Sequence, residues 1–155
     1  MALIKLNNQS LTAVSALPAA IPTGSVLQVV NANLSSGFST SSSSYVDAGL
    51  SVSITPSSTS SKIMVYLAGH GGQSTSGRSC FYQVLRGSTL VARADNLQTG
   101  TTGSVMPLVL IELDSPSTTS ATTYKIQMRT DGSGTVSMSG SSTQNSSLIL
   151  MEIAG

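Results

Sequence analysis

Short runs in which apolar and hydroxyl-bearing side chains alternate one for one recur along this chain, and they restrict it to β-structure. Leu50, Val52 and Ile54 alternate with Ser51, Ser53 and Thr55. Successive side chains on an extended strand point to opposite faces, so this run has one apolar face and one coated with hydroxyls. Pro56 ends it, and Ser57 to Ser61 form a loop. Lys62 to Ala68 is apolar on both faces, which predicts a central strand. Cys80 to Leu85 is the next strand, and Arg86-Gly87-Ser88 signals a tight turn into Thr89 to Ala92.

Further strands are predicted at Ser25 to Val30, Ser104 to Leu113, Tyr124 onward, Val136 to Met138 and Leu148 to Ile153. Pro107 predicts an edge position or a bulge for its strand, and Asp131-Gly132 is a favoured hairpin dipeptide. Tyr66 and Tyr124 fall in core-like patterns. No segment predicts a helix and no exact repeat argues for a solenoid or propeller. The expected fold is all-β: a single jelly-roll β-sandwich of eight to ten antiparallel strands over residues 25–155, preceded by an extended arm over residues 1–24.

Composition narrows the function. The 155 residues include 31 Ser and 17 Thr, while only 8% are charged, against about 25% in an average domain. A net charge of +1 with the basic residues dispersed leaves no electrostatic footprint for nucleic acid. No apolar run approaches the length of a membrane-spanning helix. One cysteine, Cys80, allows no internal disulfide and no Cys-rich zinc site; it is expected to pack as a small hydrophobe. Leu11 to Ala20 faintly resembles a signal peptide, but Asn7 to Ser10 interrupt it and Lys5 alone supplies positive charge. An extended arm bent by Pro18 and Pro22 is the expectation.

Catalytic chemistry finds little material. Gly69-His70-Gly71-Gly72 is superficially similar to an esterase oxyanion loop, yet no G-x-S-x-G elbow accompanies it. A glycine-rich loop after a central strand is the expected structure there. Asp47, Asp95, Asp114 and Asp131 are isolated at turns or strand ends, and no calcium-binding loop is present. No enzyme activity, cofactor or metal is expected. The sequons at Asn8, Asn33 and Asn145 are those an Asn- and Ser-rich chain produces by chance.

Self-association is expected instead. Leu148 and Leu150 alternate with Ile149, Met151 and Ile153, so the last strand is apolar on both faces and needs either a central position or a subunit contact. These five residues are the expected oligomer interface. The arm residues Leu3, Ile4, Leu6, Leu11, Val14 and Leu17 are the expected docking contacts, because apolar area left in water costs roughly 25 cal/mol per Å². The aromatics available for glycan or receptor recognition are Tyr45, Phe81 and Tyr82, with loops Ser35–Ser44, Gln73–Ser79 and Asn96–Gly103 as variable tips.

Several segments also carry a family resemblance: Lys5-Leu6-Asn7-Asn8-Gln9-Ser10, Gly24-Ser25-Val26-Leu27-Gln28-Val29-Val30, Tyr45-Val46-Asp47-Ala48-Gly49-Leu50 with Ile54-Thr55-Pro56, Val84 to Thr89, Leu113 to Pro116, Ala121 to Lys125 and Leu150 to Gly155. Together they resemble small virion proteins of tailed bacteriophages, especially of marine and cyanobacterial hosts. The resemblance implies a trimeric jelly roll similar to the TNF and C1q knobs. It also implies service as a capsid decoration, head fibre or tail-fibre tip. With about 24 residues ahead of the first strand, a homotrimer docked on the capsid surface, with the major capsid protein or other virion proteins as partners, is expected. The alternative is a tail-fibre knob that recognises host-surface glycan.

Overall fold

Alternating apolar and hydroxyl residues, rich in Val, Ile, Leu and Thr, form ten strands in a computed structural model that describes residues 22–98, 100–140 and 145–155. The strands are β1 (Val26–Asn33), β2 (Phe38–Thr40), β3 (Val46–Ile54), β4 (Lys62–Gln73), β5 (Ser79–Arg86), β6 (Thr89–Gln98), β7 (Val105–Asp114), β8 (Thr122–Thr130), β9 (Val136–Met138) and β10 (Ser147–Ile153). No helix occurs among the described residues. The expected arm, with Leu3, Ile4, Leu6, Leu11, Val14 and Leu17, lies almost wholly outside them.

All pairings are antiparallel and fall into two sheets. The first runs β1-β10-β4-β7, with the short β9 taking over beside β4 where β10 leaves it and β2 pairing onto β9. The second runs β3-β8-β5-β6. Setting aside the short β2 and β9 and renumbering the other eight in chain order gives 1-8-3-6 and 2-7-4-5. This is the order of a jelly roll, in which two Greek keys bring sequence-distant strands side by side.

Between the sheets lies one apolar core, with Leu50, Ile63, Leu67, Tyr82, Ile126, Met128, Leu148 and Leu150 at most 2% exposed. Two tyrosines tie the sheets across it. Tyr82 of the second sheet accepts the Gly72 N–H at 3.1 Å and donates to the Ser137 carbonyl at 2.6 Å, both in the first. Tyr124 donates to Asp114 at 2.7 Å, and Arg86 joins the same carboxylate at 2.6 Å. Burial raises both phenols well above their ordinary range. Hydrogen-bonding the polar tips lets large rings be buried without leaving donors unsatisfied.

Several expectations change here. Gly69 to Gly72 form no loop: they continue β4, because Tyr82 and Ser146 press so close that side chains do not fit. A Cβ on Gly71 would lie 2.7 Å from Tyr82 Cζ, and one on Gly69 would lie 2.6 Å from Ser146 Cβ. Asp131-Gly132 makes no hairpin, since the chain crosses there from β8 in one sheet to β9 in the other. Asp131 instead accepts the Ser79 and Ser133 N–H groups and holds the crossing in shape. Phe38–Thr40, inside an expected loop, forms β2. Tyr66 stands on the outward side of β4, away from the core. Pro107 does mark an edge, because β7 pairs only with β4, and β4 is central as expected.

Candidate functional site

The two outward sheet faces have opposite chemistry. On the first sheet, register sets residues into rows that cross four strands: Val29, Met151, Met64 and Leu113 in one, and Asn31, Ile149, Tyr66 and Ile111 in the next. Val109 and Pro107 extend the surface along β7. Of the seven large hydrophobics exposed among the described residues, six stand here: Val26, Val29, Val105, Val109, Ile111 and Leu113. Ile111 alone is 57% exposed. Lys62 is the charged side chain that register places on this face, where it reaches Ser115 at 3.2 Å, and Glu112 is exposed from the alternate side of β7. His70 shares the face, with its Nδ1 withdrawn from solvent and lacking a hydrogen-bond partner.

This face carries three of the five residues expected at the interface. Ile149, Met151 and Ile153 point outward and are half-buried. Leu148 and Leu150 do not belong to it: they are 0% exposed inside the sandwich, because the two-residue period of β10 sends alternate side chains to the core. The position of β10 between β1 and β4 explains why both of its faces are apolar.

On the second sheet the outward face is polar and internally wired. Lys125 donates to Asp47 at 3.1 Å, Gln127 donates to Asp47 at 2.7 Å, and Gln83 donates to Gln127 at 2.9 Å. The Gln127 bond, followed by the Lys125 bond, holds the Asp47 carboxyl below its ordinary range. A bulge in β3 between Asp47 and Ser51, with Gly49 at a φ of 78°, opens a depression of about 190 Å³ beside Lys125 and Thr123. Only glycine adopts that backbone conformation readily.

At the other end of the polar chain, the Arg129 guanidinium lies 3.7 Å from the Phe81 ring centre and 5.2 Å from that of Tyr45. Arg93 approaches the same Tyr45 ring at 5.8 Å. Tyr45 Oη is out of solvent without a hydrogen-bond partner. The expected aromatic trio is therefore split. Tyr45 and Phe81 both flank Arg129, whereas Tyr82 is 0% exposed between the sheets. Arg129 and Gln127 were not legible as site residues, since the second sheet's strand order is what brings them beside Phe81 and Gln83.

Among the described residues no three His, Cys, Asp or Glu side chains gather to hold a metal ion. Cys80 is buried, donates to the Leu97 carbonyl at 3.1 Å, and has its thiol pushed up by that burial. No described helix is long and apolar enough to cross a membrane.

No protein-family model matches the chain, and no curated protein sequence does either. Solved structures do resemble it. The VP2 subviral particle of infectious bursal disease virus aligns over 100% of this chain with 16% identity and a TM-score of 0.51. The T13 particle of the same virus aligns over 100% with 13% identity and a TM-score of 0.47. The chain spans 38% and 40% of the length of those two chains. At such identities the likeness is one of fold.

Proposed function

We propose that this protein is a non-enzymatic structural component of a virion, a jelly-roll subunit that assembles through the outward face of its first sheet. The observation that carries this reading is that face, where six exposed large hydrophobics surround Met64, Tyr66, Ile149 and Met151. Contiguous apolar surface of this kind marks an interaction site in soluble proteins. Burying it is favourable by roughly 25 cal/mol per Å². The resemblance to small tailed-phage virion proteins and the fold likeness to a viral capsid protein support a virion setting.

The finer reading is a homotrimer that decorates the capsid surface. In it, Ile149, Met151 and Ile153 close the subunit contact together with Ile111 and Leu113 of β7. The segment ahead of Gly24, with Leu3, Ile4, Leu6, Leu11, Val14 and Leu17, then docks on the major capsid protein or another virion protein. Three such segments held in one particle bind with a raised effective concentration.

Light scattering on the full chain tests the assembly. A mass near three chains is expected, with dissociation to monomers in Met151→Asp and Ile111→Asp, because each places a carboxylate in an apolar contact. A monomeric native chain at high concentration, or two variants that remain fully assembled, would overturn the reading.

A further inference from the structure

We infer that the outward face of the second sheet binds an acidic saccharide, with Arg129 as the anchor for its carboxylate. The inference goes beyond assembly, since it uses the opposite face of the sandwich. Among the described residues Arg129 is the one arginine without a carboxylate within 4 Å: Arg78 has Asp131, Arg86 has Asp114 and Arg93 has Asp95. Its charge is nevertheless held in place. Phe81 lies 3.7 Å below it, Tyr45 flanks it at 5.2 Å, and its Nη1 donates to the Thr130 carbonyl at 3.2 Å.

A guanidinium fixed by stacking and by one backbone bond keeps further N–H donors in a planar fork, the geometry that matches a carboxylate. Arg93 is a second cation beside the same Tyr45 ring. Its own tie to Asp95 is long, at 3.8 Å, and 42% of its side chain is exposed. Both guanidinium groups thus flank the Tyr45 ring, whose Oη makes no hydrogen bond.

The rest of the face fits the body of a sugar. Lys125, Gln127 and Arg129 occupy alternate positions on one side of β8, about 7 Å apart. The stripe leads from the stacked guanidinium, past the Gln83–Gln127 amide pair, to the depression of about 190 Å³ at the β3 bulge. Ser51 and Thr123 supply hydroxyls there, and Asp47 and Lys125 supply one acceptor and one donor of opposite charge. A small inorganic anion would use only Arg129. A chain of hydroxylated rings with a carboxylate at one of them uses the whole stripe.

NMR titration of the full-length protein tests this, read on the Tyr45 and Phe81 ring resonances. The probes are a tetramer of galacturonate, monomeric galacturonate and the neutral tetramer maltotetraose. Saturable shifts are expected with the acidic tetramer, with at least about tenfold weaker binding by the monomer and none by the neutral tetramer. Arg129→Lys, which retains the charge but not the fork, is expected to weaken tetramer binding about tenfold. Its melting temperature and its scattering mass should stay those of the native chain. Failure of the acidic tetramer to bind would overturn the inference. So would equal binding by monomer and tetramer, which reduces the site to a simple anion contact, or undiminished binding by a folded Arg129→Lys.

Discussion

Among the described residues Glu152 is the one carboxylate with no exposed surface, and neutral donors surround it. Ser57 supplies its N–H at 2.7 Å and its hydroxyl at 2.6 Å, and Gln28 supplies an amide N–H at 2.6 Å. Burial by itself raises the pKa, but these donors outweigh it and hold the group at about 2, below the ordinary 4.5. A folded-state value below the unfolded one means that the ionised form is bound by the fold. The stabilisation is full above the unfolded value and is lost as pH falls from 4.5 toward 2. Glu152→Gln should flatten that acid limb in a series of thermal melts. It should also cost about 1–3 kcal/mol at neutral pH, because the new amide turns a donor toward Gln28. That residue cannot flip freely, since the same nitrogen also donates to the Thr55 carbonyl at 2.7 Å. None of this was legible in the sequence. A Glu between Met151 and Ile153 reads as an outward polar break in an apolar strand, and only the fold brings Ser57, 95 positions away, against it.

Strands were easier to read than their ends. The alternation in β3 and the two-faced apolarity of β4 and β10 stood in the sequence, because burial on one or both sides of a sheet writes itself as period or run. The same signal did not say which side of β10 faces the core. Strand order decides that, and it turns Leu148 and Leu150 inward. The glycines of β4 depart from expectation for a different reason. A Gly-rich run is ordinarily a loop, and what makes it a strand is Tyr82, which arrives from the facing sheet and bonds the Gly72 N–H. Gly71→Ala should therefore destabilise the chain by about 1–3 kcal/mol in urea unfolding, a cost of overpacking against a fixed ring. Gly100→Ala, with no heavy atom within 4 Å of the added carbon, is the matched control and should change little.

The whole molecule is a sandwich with one oily side and one wet side, and the two should respond differently to salt. The assembly proposed above rests on apolar side chains such as Val29, Ile111 and Met151, which carry no charge to be screened, so its scattering mass is expected to hold between roughly 0.1 and 1 M NaCl, where the Debye length falls from about 10 to 3 Å. Assemblies that come apart over that range would place ion pairs, rather than the apolar rows, at the contact. Overall architecture was legible because turn punctuation and strand count constrain it, whereas the difference between the two faces emerged only once register had aligned β1, β10, β4 and β7. The jelly-roll order also bears on how the chain is made. Val26 pairs with Ile153, and β4 waits for the same strand on its flank. During synthesis the first sheet stays split, with β1 lacking its neighbour, until β10 clears the ribosome. Pairings so distant in sequence close slowly, so the edges of β1 and β4 that β10 will cover stay open until then.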